Sequence, residues 1–402
     1  MSNVMHAAAA RPKSVGVTVA LCFAVAVLEG FDIQAIGVAA PRLAPELGLL
    51  AGQMGWIFAI SNIGIVIGAA FGGRLADRVG RKPVFIGAVC TFGVFTLATV
   101  VAGNFGALFA VRFLVGLGFG AALPNMMAVA AEISTPARRT ITAAAMFCGL
   151  PFGGGISALL TQVLPAELDW RALFLIGGSL PLVIVPALHF WMVETLRSGK
   201  AGNTRRAPIG KALFAEGRAS PTLLLWLTFL PTLLILYLIL NWLPTLVAAK
   251  GLDPVVAPQA SLAFNFGSIP GALLFGVLVD KFGPRWPLAS SYLALVCALA
   301  LLGGAGGLGT MVFFSAAAGF FLMGANYSLY GVAAAYYPTN VRGTGSGASV
   351  AVGRVGSVVG PLLAGMLLSQ GLTATQVIFF MVPAAAIAGV SVFLLSFFKQ
   401  AD

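Results

Sequence analysis

The chain has 402 residues, of which 59% are hydrophobic and 9% charged. Its mean hydropathy is +0.99. A soluble domain carries about 25% charged residues, so this composition excludes a water-soluble globule and makes the bilayer the solvent. The net charge of +11 invites a nucleic-acid reading, but the placement of the basic residues, given below, removes it.

A spanning helix needs roughly 20 apolar residues. In chain order, such stretches are predicted at 15–38, 53–74, 83–103, 106–130, 140–163 and 171–193, then at 220–248, 257–279, 286–305, 309–334, 344–368 and 375–398. The first is too long for a typical cleaved signal and reads as a retained helix. Scattered Gly and Pro are tolerated in such helices because neighbours satisfy the freed backbone. Nothing alternates with period two, which excludes a β-barrel. The expected fold is all-α, an integral membrane protein of twelve transmembrane helices. The basic stretch 194–218 divides six spans from six, giving bundles at 1–193 and 219–402 with a linker between them.

With the N-terminus inside, the interior segments collect Arg11, Lys13, Arg74, Arg78, Arg81, Lys82, Arg138, Arg139, Arg197, Lys200, Arg205, Arg206, Lys211, Arg218, Lys281, Arg285, Arg342 and Lys399. The other side holds only Arg42, Arg171 and Lys250. By the positive-inside rule both termini are expected in the cytoplasm, in a multi-pass protein of the inner (plasma) membrane. The same bias explains the basic charge without a nucleic-acid partner. Cys22, Cys90, Cys148 and Cys297 share no close spacing, and His6 and His189 form no pair. No disulfide framework, metal site or cofactor is expected.

A charged motif occurs twice. Gly73-Arg74-Leu75-Ala76-Asp77-Arg78-Val79-Gly80-Arg81-Lys82 follows span two, and Gly276-Val277-Leu278-Val279-Asp280-Lys281-Phe282-Gly283-Pro284-Arg285 follows span eight. Gly116 and Gly319 also correspond, as do Pro136–Arg139 and Pro338–Arg342. A duplicated bundle with a site between its halves is the architecture of secondary transporters. Gly73 is expected to let helices approach closely. Asp77 is expected to meet the N-terminus of span eleven near Thr344, where the helix dipole favours an anion. Asp280 is expected to do the same at span five near Thr140. Arg78, Arg81 and Glu132 would complete a cytoplasmic gate that breaks when the site opens inward.

Four charges lie inside spans: Glu29, Asp32, Arg112 and Arg354. Charge in hydrocarbon is costly and marks function. Glu29 and Asp32 are three residues apart and share a helix face. Two carboxylates so close in a partly dry cavity do not both ionise easily, which makes a proton site. Asp32 is the favoured coupling residue, with Glu29 positioning substrate or tuning its neighbour and Arg112 as partner to span one. The other reading leaves one carboxylate neutralised by Arg112 and one wetted by the cavity. Arg354, about ten residues and so roughly 15 Å into span eleven, sits at the bilayer centre. Its planar guanidinium matches a carboxylate. Further substrate contacts are expected from Asn125, Tyr237, Asn241, Asn265, Asn326, Tyr327 and Tyr330, with Asn62 and Phe264 as weaker candidates.

The first loop motif resembles the signature of the major facilitator superfamily, and Arg112-Phe113-Leu114-Val115-Gly116-Leu117-Gly118 resembles its element in span four. The resemblance covers essentially the whole chain and implies two pseudo-symmetric six-helix bundles, a central cavity and alternating access. Leu28-Glu29-Gly30-Phe31-Asp32 and Gly353-Arg354-Val355-Gly356 with Gly360-Pro361 are similar to the aromatic acid:proton symporter family. Met54-Gly55-Trp56-Ile57-Phe58 and Gly120-Ala121-Ala122-Leu123-Pro124-Asn125 look like that family's 3-(3-hydroxyphenyl)propionate porters. The departure is Glu29 where the family has Asp, which keeps the charge on a longer arm. The resemblance implies a monomeric importer of a small aromatic carboxylate, coupled to protons. A drug exporter of the same fold is the alternative, from Gly149-x-Pro151-x-Gly153-Gly154-Gly155 in span five. No His/carboxylate or Cys/His constellation points to an enzyme.

Overall fold

The computed structural model describes residues 12–133, 146–164, 169–194, 208–339 and 341–400. Among the described residues there are helices and no strands. Six helices come first: α1 (Pro12–Glu46), α2 (Ala51–Val79), α3 (Arg81–Thr99), α4 (Phe105–Ile133), α5 (Gly149–Val163) and α6 (Arg171–Trp191). Six more follow a short helix at Ile209–Phe214: α7 (Ala219–Ala248), α8 (Val256–Phe282), α9 (Arg285–Gly304), α10 (Leu308–Ala335), α11 (Arg342–Ser369) and α12 (Ala374–Leu395). Among the described residues eleven are long and apolar enough to cross a membrane. The described part of α5 has 15 residues. Residues 134–145, with Pro136, Arg139 and Thr140, lie outside the described segments.

The two halves pack by the same rule. α2 lies on α4 as α8 lies on α10, and α1 lies on α5 as α7 lies on α11. Glycines set these contacts, and the same contacts recur 203 residues later. Gly64, Gly68 and Gly116 press on the carbonyls of Phe113, Leu117 and Ser61, while Gly267, Gly271 and Gly319 press on those of Ala316, Phe320 and Phe264. Gly153 against Val27 is repeated by Gly356 against Leu230. In lipid, where apolar surface gains nothing by leaving the tails, close backbone approach through small residues is what holds helices together. Gly73 is not among these glycines: a side chain there would meet open space, and the close contact belongs to Gly72 against Ala121.

The duplicated motif is less of a loop than predicted. α2 continues to Val79 and α3 starts at Arg81, so Gly80 alone makes the break, with φ +121°. Between α8 and α9 the break is Gly283, with φ +75°, followed by Pro284. Only glycine adopts such backbone freely. At the first break the Glu194 carboxylate accepts the amides of Arg81 (3.0 Å) and Lys82 (3.1 Å). It thereby caps an α3 N-terminus that has no cap of its own.

The halves meet at the end away from the motifs. There Gly37 packs on Leu240 and Asn241, Gly55 on Pro361 and Gly365, and the Phe58 ring stands edge-on to Trp242 at 5.2 Å. The buried apolar side chains reflect this. One cluster runs through both halves and includes Ala39, Leu43, Met54 and Phe58; a separate one, with Cys22, Phe85, Met126 and Leu188, belongs to the first half alone.

Candidate functional site

Between the halves lies a cavity of about 1380 Å³. Its closed end is made by Gln34, Leu240, Phe264 and Asn265, and it extends to the exposed residues Asp280, Gly347 and Gln400 on the motif face. The molecule is therefore open toward the motifs. Gln34 ties the closed end across the halves: its Nε2 donates to the Leu240 carbonyl (3.0 Å), and its Oε1 accepts from Asn265 Nδ2 (3.1 Å). The sequence reading missed Gln34, although an uncharged polar residue two positions after Asp32 in a spanning helix is itself a signal.

The two carboxylates of α1 have different surroundings. Asp32 is fully buried, with Arg112 Nη2 at 2.9 Å from Oδ2 and Nη1 at 3.3 Å from Oδ1. Thr96 donates to the same Oδ1 at 2.8 Å. This is a bidentate ion pair within the first half, and Asp32 does not line the cavity. Glu29 does line it, and neither of its carboxylate oxygens has a hydrogen-bond partner among the described residues. Gly30 brings α5 against this turn, since a Cβ there would collide with the Leu150 backbone.

Arg354 and Glu29 both line the cavity and lie within electrostatic reach of each other. Its Nη1 donates to Tyr237 Oη at 2.8 Å, and it lies 6.0 Å from the centre of that ring. Among the described residues no carboxylate forms an ion pair with it. Ser357, on the same face, instead gives its hydroxyl to the Arg354 carbonyl at 2.7 Å. Tyr327 and Tyr330 line the wall beside it, with Tyr330 edge-on to Phe229 at 5.7 Å.

Of the predicted substrate contacts, Arg354, Tyr237, Asn265, Asn326, Tyr327 and Tyr330 line the cavity, as does Phe264. Asn125 and Asn241 do not. Asn125 donates to Ala121 (2.7 Å) within α4, and Asn241 donates to Tyr237 (2.6 Å) where α7 meets α1. Asn62 likewise turns to the Phe58 carbonyl at 3.1 Å. None of the three lines the cavity.

Asp77 is exposed and pairs with Arg81 at 3.0 Å, inside its own half, so the expected cap on α11 is not made in this state. Arg81 also reaches Glu132 at 3.7 Å. Arg78 is exposed, and Asp280 lines the cavity mouth. Thr140, the expected partner of Asp280, lies outside the described residues.

Two repeated bundles around a mostly apolar cavity that holds a few charged and polar side chains, closed at one end by cross-half contacts, have the architecture of a membrane transporter. The family model of the Major Facilitator Superfamily matches residues 22–263 and 257–401. The chain is 40% identical to the 3-(3-hydroxy-phenyl)propionate transporter of Escherichia coli (strain K12), covering 94% of this chain and 93% of that protein. It is 33% identical to the 4-hydroxybenzoate transporter PcaK of Pseudomonas aeruginosa, covering 96% and 93%. A solved bacterial homologue of the human lysosomal transporter Spinster superposes with a TM-score of 0.76 at 18% identity, covering 96% of this chain and 98% of that one. The chain belongs to the major facilitator superfamily. It is a multi-pass transporter, not an enzyme.

Proposed function

We propose that the protein is a proton-coupled importer of a small aromatic carboxylate in the bacterial inner membrane, with the motif face and both termini cytoplasmic. The bundles are 1–193 and 219–402, joined by 194–218. The observation that carries this reading is Arg354: a guanidinium held by Tyr237 in a membrane cavity, free of any carboxylate ion pair among the described residues and within electrostatic reach of Glu29, which has no hydrogen-bond partner among them. The names of the two relatives given above, transporters of 3-(3-hydroxy-phenyl)propionate and of 4-hydroxybenzoate, support the aromatic carboxylate class.

In this cycle the cavity first opens outward. Glu29 takes a proton, which removes its repulsion toward an incoming carboxylate. Arg354 holds that carboxylate, and Tyr237, Tyr327, Tyr330 and Phe264 pack on the ring. With both charges neutralised, the halves close over the site at Gln34 and Asn265 and part on the motif face, the state described above. Deprotonation of Glu29 toward the cytoplasm returns a negative charge beside the substrate and expels it. Asp32, locked to Arg112 and Thr96, is the structural member of the pair, so the geometry favours Glu29 for coupling where the sequence alone favoured Asp32.

The test is Glu29→Gln in proteoliposomes. Accumulation driven by an inward proton gradient is expected to vanish, while exchange of labelled for unlabelled substrate across the membrane persists. Gradient-driven accumulation at the wild-type level would return coupling to Asp32.

A further inference from the structure

Five asparagines are buried among the described residues. Four give Nδ2 to the carbonyl four residues earlier: Asn62 to Phe58, Asn125 to Ala121, Asn241 to Tyr237 and Asn265 to Ser261. This is the usual way for a polar side chain to be satisfied locally within a helix. Asn326 breaks the pattern. It is 4% exposed, lines the cavity from α10, and its Oδ1 is covered with no hydrogen-bond partner among the described residues; Asn125 Oδ1 is also covered and unpaired, but Asn125 does not line the cavity. A covered acceptor without a partner is costly, and one in a cavity wall is relieved by a donor that enters the cavity.

The location says what that group is. Tyr330, one helical turn further along α10, lies in electrostatic reach of Arg354. One turn is about 5.4 Å, close to the width of a benzene ring. A ring whose carboxylate is held at Arg354 can thus present its far edge to Asn326. The atom waiting there is an acceptor, so the ring substituent it fits is a donor.

We propose that Asn326 accepts a hydrogen bond from a phenolic hydroxyl and selects ring-hydroxylated acids over their unsubstituted analogues. This rests on the aromatic carboxylate reading above. An acid without the hydroxyl lays its ring edge over Oδ1 and leaves it unpaired, and sites built around a hydrogen bond discriminate strongly against ligands that lack it.

The experiment measures uptake of 3-(3-hydroxyphenyl)propionate and 3-phenylpropionate, which differ by one hydroxyl, in wild type and in Asn326→Leu. Wild type is expected to prefer the hydroxylated acid by about tenfold or more. In Asn326→Leu the preference collapses toward unity, and the unsubstituted acid is still carried, which shows that the variant folds. Should the leucine variant insert poorly, Asn326→Ser, which withdraws the polar group, is expected to give an intermediate preference. An equal response of both acids to the substitution, or a wild type that carries both alike, overturns the role of Asn326 while transport stands. A wild type that carries neither acid overturns the transport reading and this inference with it.

Discussion

Arg354→Lys is expected to lower uptake roughly ten- to hundredfold although the charge is kept. A hydrogen bond to a charged group contributes about 1.5–3 kcal/mol, and each 1.4 kcal/mol is about tenfold in affinity. In the native protein one arm of the guanidinium is engaged by Tyr237 Oη at 2.8 Å. The planar fork leaves its other N–H groups aimed as a pair, which a carboxylate accepts side by side. An ammonium is a point charge and cannot hold Tyr237 and present two parallel donors at once. The loss belongs in the substrate affinity, so it is read from the KM of uptake at saturating proton gradient. Wild-type KM in the lysine variant would remove Arg354 from the carboxylate site.

Breaking the Asp32–Arg112 pair is expected to be the most destabilising polar change in the first half. Both side chains are at most 1% exposed. Removing one partner from such a pair strands a buried charge and costs about 3–5 kcal/mol. Arg112→Met and Asp32→Asn should each lower the thermal midpoint of the detergent-solubilised protein sharply, whereas the double variant recovers much of the loss because neither charge remains. The double variant also separates the roles of the two carboxylates. If Asp32 is structural, gradient-driven uptake survives in it; if uptake is lost in a stable double variant, the proton passes through Asp32. Single variants as stable as wild type would mean that the pair contributes nothing to the fold.

The spans were legible because hydropathy reports directly what lipid requires, and the halves because the motif recurs at a fixed offset. The limits of each helix were not, since α2 and α8 continue through charged residues to Val79 and Phe282 before Gly80 and Gly283-Pro284 break them. Helix rotation was also hidden. Asn125 and Asn326 look alike in sequence, but one face of α4 is turned to its own backbone and one face of α10 to the cavity. Arg112 as partner to α1 could be anticipated from charge alone, but which carboxylate it takes depends on a three-residue difference in direction along the helix. Gln34 and Glu194 escaped because their partners are mostly backbone groups remote in sequence, which carry no side-chain signature.

The most direct measurement is uptake of labelled 3-(3-hydroxyphenyl)propionate into proteoliposomes containing the purified protein, with and without an inward proton gradient. Accumulation above equilibrium is expected only when the gradient is present, competed by related aromatic acids. Uptake indifferent to the gradient, or gradient-driven efflux of the same acid, would contradict it.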